Sequence, residues 1–274
     1  MSETTPQILL DAFGLAPVEA IRFLRAKGMA ISWDWHDVWR EEHAKAFTVA
    51  KVLNADLLQD IRDAVDKSIA DGITFQQFKK ELTPKLKAAN WWGNYEMPDA
   101  NTGETKIIQL GSVDRLKTIY EQNMQTAYQA GHYARLTEVT DTLPYWQYVS
   151  VLDGKTTARC RGLNGLVFAH DDPVWDTIYP PNHWKCRAIV RALSRGQMRD
   201  DTLSVTSADE ITHEVKVGTG DVAHTVTVKG IKFAGTEYFP DAGFDYNPGK
   251  ESWNPDLSKY APDIRAQLAK SGIK

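Results

Sequence analysis

Residues 144–193, PYWQYVSVLDGKTTARCRGLNGLVFAHDDPVWDTIYPPNHWKCRAIVRAL, mark where the chain turns from helical to mixed sequence. They hold both cysteines, three of the nine tryptophans and a Pro-Pro turn. Trp146, Tyr148, Val149 and Val151 favour a strand, because aromatic and β-branched side chains pack well on a pleated surface. Gly162 and Gly165 punctuate a loop, and after the Pro180-Pro181 turn Ile189, Val190 and Leu193 open a second strand or a helix. Asp153-Gly154 and Asp171-Asp172-Pro173 have the composition of turns. No packing rule requires Asp153, Cys160, Asp171, Asp172, His183 and Cys186 within one supersecondary unit, so this is where a site is to be sought.

Upstream, the sequence reads as helices. Pro17 opens one and Gly28 closes it, with Val18, Ile21 and Leu24 on one face. A second starts near Ser32 and carries Trp35, Val38, Trp39, His43, Phe47 and Ala50 at helical spacing. A third runs from Asn54 to Gly72 with Leu57, Leu58, Ile61, Ala64, Val65 and Ile69 as its apolar stripe. Thr74 and Gln77 form a capping box for a fourth, which Pro84 is expected to kink or end. The turn Asn101-Thr102-Gly103 joins two short extended pieces between Trp91 and Gly111. Ser112 then caps a long helix reaching about Val139.

Downstream, HEVKVGTGDVAHTVTVKG alternates Val215, Val217, Val226 and Val228 with polar residues around a Gly-rich turn, the pattern of a hairpin. The tail carries Pro and Gly turns and a short helix, strapped on by Trp253 and Tyr260. The fold class is α+β: a mainly α-helical N-terminal region, then a small mixed α/β domain with short antiparallel strands. The chain divides into a helical docking region at 1–111, a long helix and mixed domain at 112–200, and a hairpin with a C-terminal strap at 201–274.

Composition narrows the function classes. An apolar content of 42% and a charged content of 25% over 274 residues are those of a soluble globular protein. A net charge of -4 argues against a protein that coats nucleic acid with its whole surface. No apolar run approaches the ~20 residues of a membrane span, and MSETTPQILL lacks the basic and apolar parts of a secretion signal, so assembly in a cytoplasm is expected. In such a reducing compartment two cysteines stay thiols unless a metal holds them.

Cys160, His183 and Cys186 are three good zinc ligands. The His-x-x-Cys spacing lets two of them face one ion on a turn, and Asp153 or His170 is available as the fourth. A structural zinc ion is the cofactor this set would take. The alternatives leave the cysteines as small buried hydrophobes beside a hydrogen-bonded His183, pair them in a disulfide after lysis, or make one a nucleophile activated by His170 or His183. Charge is a second signal: residues 144–199 hold eight basic side chains against four aspartates. Lys155, Arg159, Arg161, Lys185, Arg187, Arg191 and Arg195 are candidate contacts to an acidic partner or a phosphate backbone, a solvated face being the alternative. The spacing of Arg191, Arg195 and Arg199 puts them on one helical face. Trp33, Trp35 and Trp39 read as core, whereas Trp91-Trp92 fits either a core or an exposed partner anchor.

Four stretches together identify a family. PVEAIRFLRAKG and DVWREEHAKAFTVAK (17–28, 37–51), RLKTIYEQNMQTAYQAGHYARL (115–136), the run from Leu152 to Arg187, and FDYNPGKESW (244–253) resemble the tailed-phage minor head proteins called head morphogenesis or Mu F-like. The chain departs from the family pattern where members often carry an Arg-rich turn leading to His, here Thr156 to Cys160. It also has Cys186-Arg187-Ala188 for a Cys-Arg-Cys triplet, and His183 where many have Gly. Cys160 and His183 would then compensate for a His missing at 160 and a Cys missing at 188. The departures weaken any reading in which one fixed residue set does chemistry across the family.

The resemblance implies a structural, non-enzymatic virion protein at or near the portal vertex or capsid interior, assembled in the host cytoplasm. Its implied partners are the portal protein, the major capsid or scaffolding protein and the packaged DNA, with no membrane. It would act in head assembly and in DNA packaging or ejection. Some relatives fuse this domain to toxin modules, so the rival is a hydrolase or transferase using the Cys/His/Asp cluster. Only about 75 residues follow residue 200, fewer than the ~100–150 of a typical catalytic domain.

Overall fold

The elements run in chain order α1 (Val18–Ala26), β1 (Gly28–Met29), α2 (Glu42–Lys45), β2 (Ala46–Phe47), α3 (Ala55–Asp71), α4 (Phe75–Ala88), β3 (Asn94–Pro98), β4 (Thr105–Gln109) and α5 (Val113–Glu138). They continue with β5 (Tyr145–Ser150), α6 (Ala158–Leu163), β6 (Val167–Ala169), α7 (Trp175–Ile178), β7 (Ala188–Leu193), α8 (Arg195–Asp200), β8 (Asp209–Val217), β9 (His224–Phe233) and β10 (Thr236–Tyr238). This α+β structure is a computed structural model and describes residues 18–32, 38, 40, 42–98, 103–218 and 223–250. Among them, no helix is long and apolar enough to cross a membrane.

Local signals start the three long helices. The Asn54 side chain accepts the Leu57 N–H at 3.0 Å, and Gly72 ends α3 in the left-handed conformation at φ 65°. Thr74 and Gln77 close their capping box on α4, and Ser112 accepts the Arg115 N–H at the start of α5. Pro84 does not end α4, which continues to Ala88. Both Pro84 and Lys80, whose carbonyl loses its usual i+4 donor, lie on the exposed face, so the freed oxygen is on the solvent side of the helix.

Around these helices one core gathers side chains from Ala20 to Ala130. Helix α1 turns Ala20, Phe23 and Leu24 inward, and Val18, expected on that face, is 52% exposed. The stripe is set by contact with α5, where the absent side chain of Gly131 lets the Ala20 backbone approach. The helix expected from Ser32 to Ala50 is not continuous in its described part. It stops at Lys45 because Ala46 and Phe47 pair in parallel with Gly28 and Met29. Trp33, Trp35 and Trp39 lie outside the described residues, as do Pro17, Trp253 and Tyr260. Of the tryptophan pair, Trp91 is buried, donates its indole N–H to the Lys51 carbonyl at 2.8 Å and lies under the Arg115 guanidinium; Trp92 packs partly buried against the same core. It is no exposed anchor. The two extended pieces that follow form the antiparallel β3–β4 pair.

A second core lies under the sheet β6–β5–β7, all antiparallel. Alternation on β5 sends Trp146 and Tyr148 into it, and Val149 meets Ile189 on the other face. Tyr133, Trp146, Phe168, Trp175 and Tyr179 pack with ring centroids 5.3 to 6.3 Å apart. Helix α5 serves both cores, giving Leu116, Ala127 and Ala130 to the first and Leu136 to the second. It also lies against β7, one of the sheet's two edge strands. The Gln129 amide donates to the Ala188 carbonyl at 3.0 Å and His132 Nε2 meets the Val190 carbonyl at 2.6 Å, which satisfies carbonyls that an edge would leave open. The expected hairpin is β8–β9, with β10 added to it.

Candidate functional site

Two local structures bring the sulfur and nitrogen ligands together. The Thr157 hydroxyl accepts the Cys160 N–H at 3.3 Å and so starts α6, a helix that sequence reading placed in a loop because of Gly162. Glycine is needed there for space, since a Cβ would sit 2.4 Å from the Tyr238 ring. Opposite α6, the turn 182–186 closes with the Cys186 N–H on the His183 carbonyl at 3.1 Å and a positive φ of 60° at Lys185. The Ser150 hydroxyl donates to the Cys160 carbonyl at 2.7 Å, which fixes α6 on β5.

Cys160 Sγ then lies 3.2 Å from His183 Nε2 and 3.9 Å from Cys186 Sγ. The ligand atoms of all three residues fall within 4.8 Å of one another. His183 Nδ1 is 2.8 Å from the Trp184 carbonyl, which makes Nδ1 the protonated nitrogen and aims Nε2 at the sulfur. Tyr148 and Asn182 complete the surroundings and were missed by sequence reading. The Tyr148 hydroxyl stands 3.4 Å from Cys160 Sγ and accepts from the Asn182 amide at 2.8 Å. Their signal was only the alternation of β5 and the polar residue after a Pro-Pro turn.

The electrostatics distinguish the two thiols. The Cys186 thiol, His183, Tyr148 and Thr157 all bond to Cys160; the Cys186 bond leads, and together they outweigh burial and pull the Cys160 thiol down to about 4. Cys186, bonded to that incipient thiolate and fully enclosed, is pushed well above its ordinary value. Burial works against a charged His183, but the bond to Cys160 prevails and its pKa is raised.

Asp153 is not brought to this group. Its carboxylate takes two bonds from Arg187, at 2.8 and 2.5 Å, and one from the Lys155 backbone, which hold it well below the usual carboxylate range. His170 packs beside Trp146 instead. The basic side chains also separate. Lys155, Lys185 and Arg187 line a cleft of about 740 Å³ between α5 and the turn 183–187. Arg159 is bound to Asp241 and the Asn182 carbonyl, and Arg161 to the Asp153 carbonyl. Arg191 stands on β7 opposite Gln147, whereas Arg195 and Arg199 stand on α8. The three do not share a helical face, because the strand ends at Leu193 before Ser194 caps the helix.

Comparison with known proteins agrees with the resemblance. A family model described as Phage Mu protein F like protein matches residues 59–191. The chain is 41% identical over 281 aligned positions to the "Putative capsid assembly protein F" of Escherichia phage Mu, covering 98% of this chain and 64% of that protein. It is 39% identical over 236 positions to the "Mu-like prophage FluMu F protein" of Haemophilus influenzae, covering 84% of this chain and 56% of that protein. The chain thus spans under two thirds of the length of either relative. No solved structure matches it. The matched residues hold Cys160, His183, Cys186 and the whole sheet β6–β5–β7 except its last strand's end, so it is over this part that the chain is similar to the Phage Mu protein F like family.

Proposed function

We propose that the chain is a structural protein of phage head assembly, a minor capsid component in the virion near the portal vertex. The observation that carries this reading is the 41% identity, along 98% of the chain, to a protein named for capsid assembly. The helical core would dock on the portal or on the major capsid or scaffolding protein, and Lys155, Lys185 and Arg187 around the cleft would meet an acidic protein surface or packaged DNA. Assembly takes place in the host cytoplasm on this reading.

A structural role also suits the site. A thiol beside an imidazole is the arrangement of a cysteine nucleophile, but Cys160 is 2% exposed, does not line the larger cleft that His183 and Cys186 border, and adjoins only a space of about 10 Å³. That is room for a water and not for a substrate.

Deleting the coding sequence from the phage or prophage that carries it, and inducing it, should leave malformed or empty heads by electron microscopy and remove plaque formation. Complementation with a His183→Gln or Cys160→Ser copy tests whether the cluster matters to assembly. Normal yields of filled, infectious heads from the deletion would overturn the reading. Labelling of intact particles should mark one vertex, and a uniform shell signal would remove the portal location.

A further inference from the structure

We propose that Cys160 Sγ, His183 Nε2 and Cys186 Sγ hold one thiophilic divalent cation of the zinc class, with a water as the fourth ligand. This goes beyond the head-assembly reading and does not depend on it. The spacing is that of a nearly formed tetrahedral face. With metal–sulfur bonds of ~2.3 Å and metal–nitrogen bonds of ~2.0–2.1 Å, two sulfurs on one ion stand ~3.8 Å apart and a sulfur and nitrogen ~3.6 Å apart. The corresponding separations here are 3.9 and 3.2 Å. The third edge, from His183 to Cys186, lies within 4.8 Å, so side-chain shifts of about 1 Å would bring all three atoms onto one ion, and its binding would relieve the direct sulfur–nitrogen contact.

The surroundings fit the same ion. Nδ1 of His183 is already committed to the Trp184 carbonyl, so Nε2, which stands 3.2 Å from both Cys160 Sγ and the Thr157 hydroxyl, is the nitrogen that would coordinate, and a backbone acceptor behind a ligating imidazole is the usual orienting device. A set of two sulfurs and one imidazole selects zinc-like ions over magnesium or calcium, which take oxygen. Two thiolates balance the charge of a divalent cation, so a neutral group would sit in the buried space. Asp153 is engaged by Arg187 and is left out of the ligand set. The Tyr148 hydroxyl is enclosed and bonded to Asn182, so it faces Cys160 as a neutral phenol. What remains at the fourth position is the cavity of about 10 Å³, lined by Ser150, Thr156, Thr157, Cys160 and His183 among others. That volume is about one water, with hydroxyls at hand to hold it. The ion would tie α6 to the turn 182–186 and stiffen the wall of the larger cleft, to which His183 and Cys186 both contribute.

The test uses the full chain purified under reducing conditions, stripped with a chelator and titrated with cobalt(II) and zinc(II). One cobalt per chain is expected, with thiolate charge-transfer absorption and the visible bands of a tetrahedral site, displaced by zinc. His183 is only partly buried, so His183→Gln should fold, as its circular dichroism will report, and should weaken zinc binding by more than ~100-fold, beyond the usual effect of an outer partner. Asp153→Asn should leave affinity and spectrum unchanged. Cobalt that binds without thiolate bands, equal affinity in folded His183→Gln, or no binding by the reduced, folded chain would each overturn the proposal. Loss of the site in Asp153→Asn would overturn the three-residue ligand set.

Discussion

Lys27 is the buried charge whose setting makes the clearest demand on pH. Its side chain donates to the His43 carbonyl at 2.6 Å and stands 4.7 Å over the Phe23 ring. Burial, and after it the neighbouring Arg62, lower its pKa to about 7. In the unfolded chain the ammonium keeps its proton to ~10.4. Between these values the unfolded state binds more protons than the folded one, so stability rises with pH from about 7 and is lost again as pH falls back to 7. The urea midpoint should climb from about pH 7 to about pH 8.5, the ordinary thiol value, with the lowered Cys160 acting in the same sense up to that point and the raised Cys186, Tyr148 and Tyr179 in the opposite sense above it. Lys27→Met should flatten that climb, and an unchanged slope would show that the proton uptake lies elsewhere. Sequence patterns gave no hint of Lys27, whose burial comes from the approach of α2. The Cys/His site was half legible. His183 and Cys186 share a turn that spacing announces, but Cys160 joins them only because β5 carries α6 across the turn. Asp153 looked available because nothing in the sequence revealed its pairing with Arg187.

Helix α5 is the element on which both cores depend, and Gly131 is its narrowest point. A Cβ there would lie 2.9 Å from the Ala20 backbone nitrogen and 3.1 Å from the Glu19 Cβ. Helix propensity alone favours alanine over glycine by about 1 kcal/mol. Here the neighbour is backbone and cannot swing aside, so overpacking should win and Gly131→Ala should lose about 1–3 kcal/mol in chemical denaturation. A stabilised variant would mean that α1 is held less closely to α5. Elements of this kind were readable in proportion to how local their cause is. Asn54, Thr74 and Ser112 cap α3, α4 and α5 through bonds three residues away, and these helices start where sequence places them. The valine alternation of β8 and β9 is likewise local. Helix α2 stops at Lys45 for a reason 18 residues distant, the pairing of Ala46 with Gly28, and α1 chooses its buried face by where α5 lies. Arg191 shares helical spacing with Arg195 and Arg199, yet the strand pairing of β5 with β7 overrides it.

At the scale of the whole molecule, the segment after β10 returns across both cores and joins parts of the chain that are far apart in sequence. Asn247 donates to the Trp175 carbonyl at 3.0 Å, and Gly249 fits against the Tyr133 ring, where a Cβ would be 2.4 Å from the side chain. Asp245 is the principal tie. Its side chain is fully enclosed, accepts from Arg40 at 2.8 and 3.1 Å, and accepts the Lys229 N–H at 2.9 Å; Arg40 in turn also donates to the Thr227 carbonyl. One carboxylate therefore links residue 40 to strand β9 across 205 positions of sequence. A buried pair of this kind contributes little relative to apolar packing, but removing one partner leaves the other charge poorly solvated, at a cost of ~3–5 kcal/mol. Arg40 keeps 18% of its side chain exposed, which places Asp245→Ala at about 3 kcal/mol, the low end of that range. Asp245→Asn should lose less, because it still accepts the Lys229 N–H. Urea denaturation of both variants checks the order, and hydrogen exchange should show the added opening in β9 around Thr227 and Lys229 before it reaches α3. A loss below about 1 kcal/mol for Asp245→Ala would mean that the pair does not hold the two ends of the chain together.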